Sequence, residues 1–235
     1  MDIILIPGLW LTASSWDAVV PTLEAAGHRT HPLTLPGMES PGADRSGVGR
    51  QDHIDAAVTA IDAVEGDDQV LLVGHSMGGG VAWAAADARF DRVAGVVFLA
   101  SEPPGPADGG SSPFPAEHGE IPLPDWDFFD DEMVADLDDD LRRTIRATSV
   151  PSPERAVTDG LSLSDDRRYD LPVTMITAEY DEAQLREWIE QEVDGVEEIV
   201  KLHHLRYVDL HSGHWPQFSR PDDTARLILD ALAQP

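Results

Sequence analysis

The chain has 235 residues, no cysteine, and 44 acidic against 16 basic side chains, which give a formal net charge of −28. Such an acidic surface repels phosphate, so nucleic acid and anionic membranes are not expected partners, and the lack of cysteine excludes disulfides and thiolate metal sites. No apolar stretch reaches the roughly 18 residues of a membrane span, and no basic segment precedes the first apolar run. We therefore expect one cytoplasmic domain with a substantial core.

The acidic excess has two interpretations that composition leaves open. Lys201 is the only lysine, so most carboxylates lack a lysine neighbour. The surface is either an ordinary solvated face or an adaptation to high salt, in which counterions screen the repulsion between carboxylates.

The first hundred residues alternate apolar runs with amphipathic segments. Residues 3–6 are Ile-Ile-Leu-Ile, which is typical of a buried strand, and Pro7 and Gly8 then predict a turn. The predicted strands are 2–6, 29–33, 69–73 and 93–100, and the predicted helices are about 15–26, 51–64 and 77–89. Such alternation indicates a parallel sheet with helices on both faces.

This alternation stops at Ser101. Residues 101–125 contain seven prolines, and residues 126–168 mix aromatic and acidic clusters with one helical stretch and no predicted strand. A long excursion of this kind usually has a function, and its aromatic residues need partners to pack against, which disfavours the alternative of a disordered linker. The predicted domains are a core of residues 1–100 and 169–235 and an inserted cap, or lid, of residues 101–168.

Strands and helices resume after the predicted cap. The pattern predicts strands over 171–177 and 207–210 and helices over about 182–193 and 222–233. The sheet is therefore expected to have six parallel strands.

One motif stands between the third strand and the helix that follows it. Residues 74–78 read Gly-His-Ser-Met-Gly, the G-x-S-x-G pattern in which a serine sits on a strained turn above a sheet. Glycines suit the two outer positions because a side chain there would collide where strand and helix crowd together. The short pattern also occurs by chance, but the preceding apolar strand favours a catalytic role for Ser76.

Polar side chains follow several predicted strands at the carboxyl edge of the sheet, where functional groups of parallel sheets gather. They occur in the order serine, acid, histidine. The candidates are Ser76, Ser101, Glu102, Glu179, Asp181, His211 and His214.

With these residues the chain resembles the α/β-hydrolase superfamily over nearly its whole length, and within it the small bacterial esterases and the plant methylesterase and hydroxynitrile lyase group. The shared features are Gly-x-Trp at 8–10, Ser-Ser-Trp at 14–16, G-H-S-M-G-G at 74–79, an Asp-Glu pair before a helix with Trp188, and G-H-W-P-Q-F at 213–218. The resemblance implies an α/β-hydrolase fold with a six-stranded, mainly parallel sheet and an inserted cap.

Two departures from that family are visible. Family members commonly have His-Gly where this chain has Pro7-Gly8. The chain also begins on what the family counts as its third strand, so the usual N-terminal antiparallel strands are expected to be absent.

Ser76 is the predicted nucleophile and His214 its predicted base. A serine hydroxyl is weakly nucleophilic near neutral pH unless a neutral imidazole removes its proton. The resemblance places the general base in the loop between the last strand and the last helix, where His214 lies.

The acid that orients the base is predicted to be Asp181, four residues beyond its strand and followed by an acid as in the resembling group. Glu179 follows that strand by only two residues and is not chosen. Glu102 is the rival, because some α/β-hydrolases carry their acid after the strand that precedes the cap.

The backbone N–H groups of Leu9 and Met77 are the predicted oxyanion hole. Four aromatic side chains are predicted to line an apolar substrate pocket beneath the cap, with a small core that holds the cap down as the alternative. They are Trp10, Trp126, Phe128 and Phe129. No cofactor and no metal site are expected.

The sequence thus predicts a serine hydrolase that cleaves a small carboxylic ester through an acyl-enzyme. One alternative is a lyase or carbon–carbon hydrolase on the same triad, although the resembling lyases also use a lysine near the pocket and Lys201 precedes the last strand. The other is a non-catalytic receptor for a small ligand with the same fold.

Overall fold

The structure, a computed structural model, describes residues 1–66, 68–105, 109–193 and 195–233. Its strands are β1 (Asp2–Ile6), β2 (Arg29–Pro32), β3 (Val70–His75), β4 (Val93–Leu99), β5 (Glu120–Ile121), β6 (Ser152–Pro153), β7 (Pro172–Thr177) and β8 (His204–Asp209). Six of them form a wholly parallel sheet in the order β2-β1-β3-β4-β7-β8, which confirms the predicted sheet.

The helices are α1 (Val20–Ala25), α2 (Arg50–Ala63), α3 (Met77–Ala88), α4 (Asp139–Thr148), α5 (Glu154–Thr158), α6 (Glu182–Glu190), α7 (Pro216–Ser219) and α8 (Pro221–Leu232). In the described part of the chain, no helix is long and apolar enough to cross a membrane. The first helix begins later than predicted, at Val20. Pro21 accounts for this, because proline has no N–H to donate and is tolerated only in the first turn of a helix.

Both faces of the sheet are covered, as the alternation of strand and helix predicts. Ile3 and Leu5 of β1 face a cluster with residues of α1 and α8, and Ile4 and Ile6 face one with residues of α2 and α3. All four side chains are fully buried. This packing fixes the carboxyl edge of the sheet, where the predicted site residues lie.

The segment between β4 and β7 contains structure that the sequence did not predict. β5 and β6 pair antiparallel, so the expectation of no strand in this segment is wrong. Each of these strands has two residues, too few to give a period-two pattern.

The described part of this segment packs against the core rather than forming a disordered linker. Ile121 and Ile145 are fully buried in a third apolar cluster, which also includes Trp10 and Trp215 from outside the segment. The segment is therefore held over the carboxyl edge of the sheet, next to the loops that carry the predicted serine and histidine.

Buried ions hold the last part of the same segment. The guanidinium of Arg168 lies 3.2 Å from the carboxylate of Asp87 and 3.3 Å from that of Glu198. Lys201 also contacts Glu198, at 2.7 Å. These contacts satisfy carboxylates that would otherwise be costly to bury.

Candidate functional site

Ser76 occupies the turn between β3 and α3 in a strained backbone conformation. Its φ is 51° and its ψ is −127°, a combination that costs a residue with a side chain about 1–3 kcal/mol. The N–H of Ser76 donates to the carbonyl of Leu99 at 3.0 Å, and the hydroxyl of Ser101 donates to the carbonyl of Ser76 at 2.7 Å. These two bonds from the neighbouring strand end hold the turn.

Close packing around this turn requires the two outer glycines of the motif. A Cβ on Gly74 would lie 2.4 Å from the carbonyl oxygen of Gly78, and a Cβ on Gly78 would lie 2.5 Å from that of Ile6. Backbone atoms cannot move aside at such distances, so the predicted crowding of strand and helix is confirmed.

The structure brings His214 against Ser76. The Nε2 atom of His214 lies 2.8 Å from the hydroxyl oxygen of Ser76. The Nδ1 atom of His214 contacts a carboxylate oxygen of Glu179. Since an ionised carboxylate only accepts hydrogen bonds, Nδ1 carries the proton and Nε2 presents its lone pair to the serine.

Glu179 is ionised in this arrangement. Burial raises the pKa of its carboxyl, but the hydrogen bond and the electrostatic attraction of the His214 ring outweigh that effect and hold the pKa below its usual range. Serine, imidazole and carboxylate therefore form one continuous chain of hydrogen bonds.

The predicted contact between Asp181 and His214 is wrong. Asp181 is instead the N-cap of α6, and its carboxylate accepts the N–H of Gln184 at 2.8 Å. Glu179 and not Asp181 contacts the His214 ring. The Asp-x-x-Gln spacing is itself a helix-start signal and provides a reason to discount Asp181.

Glu102, the rival acid, does not contact His214 by a hydrogen bond either. It accepts a hydrogen bond from the hydroxyl of Tyr180. Burial raises the pKa of the Glu102 carboxyl, against the opposing effect of this hydrogen bond. Glu102 lines the same cavity as Ser76 and His214.

The two residues predicted for the oxyanion hole lie beside Ser76. Leu9 and Met77 both line the cavity with it. A Cβ on Gly8 would lie 2.9 Å from that of Ser76, so the turn before Leu9 approaches the serine as closely as a glycine allows. Leu9 and Met77 therefore remain the predicted oxyanion-hole residues.

That turn is braced by the β4–β7 segment. The N–H of Trp10 donates to the hydroxyl of Ser152 at 2.8 Å, and the N–H of Val150 donates to the carbonyl of Trp10 at 2.9 Å. Trp10 has a φ of 64°, so its backbone is held in a conformation that non-glycine residues rarely adopt.

The cavity beside Ser76 has a volume of about 390 Å³. Its apolar wall includes Leu9, Val81, Phe114 and Val157. The predicted pocket aromatics Trp10, Trp126, Phe128 and Phe129 are not among its lining residues, so that prediction is wrong.

Trp10, Trp126 and Phe129 form a small core instead, which was the alternative, whereas Phe128 is 48% exposed. Phe129 and Trp126 pack edge-on against Trp215 with ring centroids 5.2 and 5.6 Å apart, and Trp10 packs edge-on against Phe129 at 5.8 Å. Pocket and core both require apolar side chains, so composition did not separate them. Phe114, which touches Trp10 and lines the cavity, was missed in the proline-rich stretch.

His75, the residue before the serine, is buried and was given no role from the sequence. It is 1% exposed, and its Nε2 lies 2.7 Å from the carbonyl oxygen of His214. Its Nδ1 lies 3.2 Å from the amide nitrogen of Gln217. Burial lowers the pKa of His75 to about 3. Both partners of His75 belong to the motif at 213–218, so the joint presence of this motif and His75 was the signal in the sequence for their contact.

The chain matches one family model and is similar to curated proteins over part of its length. A family model described as the alpha/beta hydrolase family matches residues 3–227. A pyrethroid hydrolase from Sphingobium wenxiniae is 38% identical over 99 residues, which are 42% of this chain and 35% of that protein. A probable esterase, PIR7A, from Oryza sativa subsp. japonica is 36% identical over 100 residues, which are 42% of this chain and 38% of the rice protein. The aligned region is therefore well under half of either relative.

Solved structures match over nearly the whole chain. An extracellular alpha/beta-hydrolase from a Paenibacillus species has a TM-score of 0.76 at 23% identity and covers 98% of both chains. The methylesterase MES16 from Arabidopsis has a TM-score of 0.76 at 19% identity and covers 99% of both. At this identity the likeness establishes the fold.

Burial of neutral His75 predicts a specific loss of stability in acid. Its pKa of about 3 in the folded state is below the ordinary value near 6.5, so between these pH values only the unfolded chain binds the proton. Wild type should lose stability as pH falls from about 6.5, by up to ~1.4 kcal/mol per pH unit from this group. The variant His75→Gln should lose less over the same range, as measured by urea unfolding at a series of pH values. Parallel curves for the two proteins would contradict the assignment of a neutral His75.

Proposed function

Because the chain belongs to the α/β-hydrolase family, we propose that it is a serine hydrolase that cleaves small carboxylic esters through an acyl-enzyme. The observation that carries this proposal is the hydrogen-bonded chain of Ser76, His214 and Glu179. The printed names of the curated relatives, a pyrethroid hydrolase and a probable esterase, support the same class of reaction. The triad is therefore proposed as Ser-His-Glu rather than Ser-His-Asp.

The proposed reaction starts with attack of the Ser76 oxygen on the ester carbonyl. Nε2 of His214 takes the hydroxyl proton, and the carboxylate of Glu179 stabilises the imidazolium that forms. The N–H groups of Leu9 and Met77 bind the oxyanion of the tetrahedral intermediate, where one such donor is worth roughly two to three powers of ten in rate.

Breakdown of the intermediate completes acylation and then deacylation. The carbon–oxygen bond to the alcohol breaks, and Nε2 of His214 donates the proton taken from Ser76 to the alcohol oxygen. Water then attacks the acyl carbon while His214 accepts the water proton, and the proton returns to Ser76 as the acid leaves. The charges balance without any further group.

We also propose that residues 101–168 act as a cap that selects the substrate. Phe114 and Val157 of this segment line the cavity opposite Ser76. The cavity of about 390 Å³ is in the size range of a small ligand. Because the segment supplies much of its apolar wall, changes there should alter substrate preference.

The lyase alternative receives little support from the position of lysine. Lys201 lies 2.7 Å from Glu198 and donates to the hydroxyl of Tyr169 at 3.4 Å. Lys201 is not among the residues that line the cavity beside Ser76. A lyase of the resembling plant group, which uses a lysine near the pocket, would need a different cation here.

Labelling with a fluorophosphonate probe tests whether Ser76 is a nucleophile. Wild type should be labelled and should hydrolyse short p-nitrophenyl esters, because an activated hydroxyl attacks both phosphorus and acyl carbon. The variant Ser76→Ala should do neither, while its circular dichroism stays that of wild type. Wild-type protein that neither labels nor hydrolyses any ester would favour a ligand receptor or a narrow lyase.

Replacement of each acid by alanine tests the identity of the triad acid. Glu179→Ala should lower kcat by roughly three to four powers of ten, because His214 loses both its orientation and its counter-charge. Asp181→Ala is the matched control, and it should cost about 1 kcal/mol of stability through the lost helix cap with kcat near wild type. The assignment fails if Asp181→Ala or Glu102→Ala causes the large loss and Glu179→Ala does not.

Glu102 is expected to set a preference for esters with a polar group. It is a hydrogen-bonding carboxyl in a cavity that also has apolar lining residues, and a site that hydrogen-bonds a substrate rejects analogues without the partner group. Glu102→Leu should therefore lower kcat/KM for a hydroxyl-bearing acyl ester by about 10-fold or more relative to the matching alkyl ester.

The exposed acid Glu190 provides a control for that comparison. Glu190→Leu should leave the ratio of the two kcat/KM values unchanged. An unchanged ratio in Glu102→Leu would show that this carboxyl does not contact the substrate.

A further inference from the structure

His75 is a buried ionisable side chain that the proposed reaction does not use. It is 1% exposed at the end of β3, with Ser76 next in the chain. Its ring lies 5.2 Å from the ring of His214, at an angle of 54°. A second imidazole this close to the base would disturb proton transfer if it gained a charge, since like charges oppose each other.

The contacts of His75 fix which of its nitrogens carries the proton. Its Nε2 lies 2.7 Å from the carbonyl oxygen of His214, and a carbonyl only accepts, so Nε2–H is the donor. Nδ1 is then the acceptor and receives a hydrogen bond from the amide of Gln217 at 3.2 Å. Burial lowers the pKa of His75 to about 3, so this neutral form persists at neutral pH.

One imidazole thus touches three parts of the site. Besides bonding to the main chain of His214, its Nδ1 lies 2.8 Å from the position that a Cβ on Gly8 would occupy, in the turn that leads to Leu9. The third part is Ser76 itself, its neighbour in the chain. The His75 ring therefore lies next to His214, to the turn that carries Leu9 and to Ser76.

Stability alone does not explain this polar pair. Gln217 is fully buried, and its carbonyl oxygen Oε1 has no hydrogen-bond partner in the described part of the chain. An unpaired buried acceptor is costly, and apolar side chains at both 75 and 217 would avoid that cost.

We propose that His75 is a positioning residue, whose Nε2–H holds the main chain of His214 so that the base stays in line with Ser76, and that Gln217 fixes the orientation of His75. The inference rests on the proposed hydrolase activity. It differs from that proposal in assigning a function to a histidine that exchanges no proton with the substrate.

Two replacements of His75 test the inference. His75→Leu removes the donor to the His214 carbonyl and should lower kcat by about 100-fold with KM within about threefold, since a misplacement near 1 Å costs that much in rate. His75→Gln places an amide N–H near the position of Nε2 and should recover most of the lost kcat. Initial rates on a p-nitrophenyl ester measure both constants.

His53 supplies the matched control. It is another buried histidine, 5% exposed, whose Nε2 lies 2.9 Å from the carbonyl oxygen of Pro36, and burial lowers its pKa as well. His53→Leu should lower the melting temperature as much as His75→Leu does but should reduce kcat far less. Equal losses of kcat in the two leucine variants would reduce His75 to a structural residue.

Gln217→Met tests the second contact without adding charge or much volume. It removes the unpaired Oε1 but also the donor to Nδ1 of His75, so stability should change little, and it should lower kcat less than His75→Leu does. A kcat equal to that of wild type would overturn the role assigned to Gln217.

The outcomes separate this inference from the proposed function. If wild type hydrolyses esters and His75→Leu matches it in kcat, the positioning role is overturned and the hydrolase proposal stands. If wild type hydrolyses no ester, the hydrolase proposal fails and the positioning role falls with it. Loss of kcat in His75→Leu with recovery in His75→Gln supports both.

Discussion

The contact between the end of β3 and the start of α3 is the constraint on which the rest of the site depends. Gly74 and Gly78 allow backbone to meet backbone there, and Ser76 is left in a strained conformation between them. Bonds from Leu99 and Ser101 on the neighbouring strand end hold that conformation. The packing of the sheet thus holds the half-buried hydroxyl of Ser76 at one point of its carboxyl edge.

The base is fixed from both sides. Glu179 contacts Nδ1 of the His214 ring, while Nε2 of His75 donates to the main-chain carbonyl of the same residue. The two neighbours differ in charge: Glu179 is an ionised carboxylate, and His75 is an imidazole that burial keeps neutral. The carboxylate favours the tautomer protonated at Nδ1, and the main-chain bond restrains the position of His214, as the proposed transfer of the serine proton requires.

The sheet and the positions of Ser76 and His214 were predictable from the sequence, and the wrong predictions have physical causes. Apolar periodicity predicted the six strands, and strand order placed Ser76 and His214 at one edge. The choice between Glu179 and Asp181 depends on two residues of loop, and the capping function of Asp181 competes with a catalytic one. The role of Trp126 was equally undetermined, because a pocket and a small core need the same apolar side chains.

The bonds that join Trp10 to Val150 and Ser152 have a consequence for how such an enzyme diversifies. The segment that lines the cavity also holds the turn that carries Leu9, the proposed oxyanion-hole residue. Exchange of that segment for another would therefore change turnover together with selectivity. A related enzyme that evolves to accept a new ester has to keep the bonds from Val150 and Ser152 to Trp10, or change the turn that carries Leu9 at the same time.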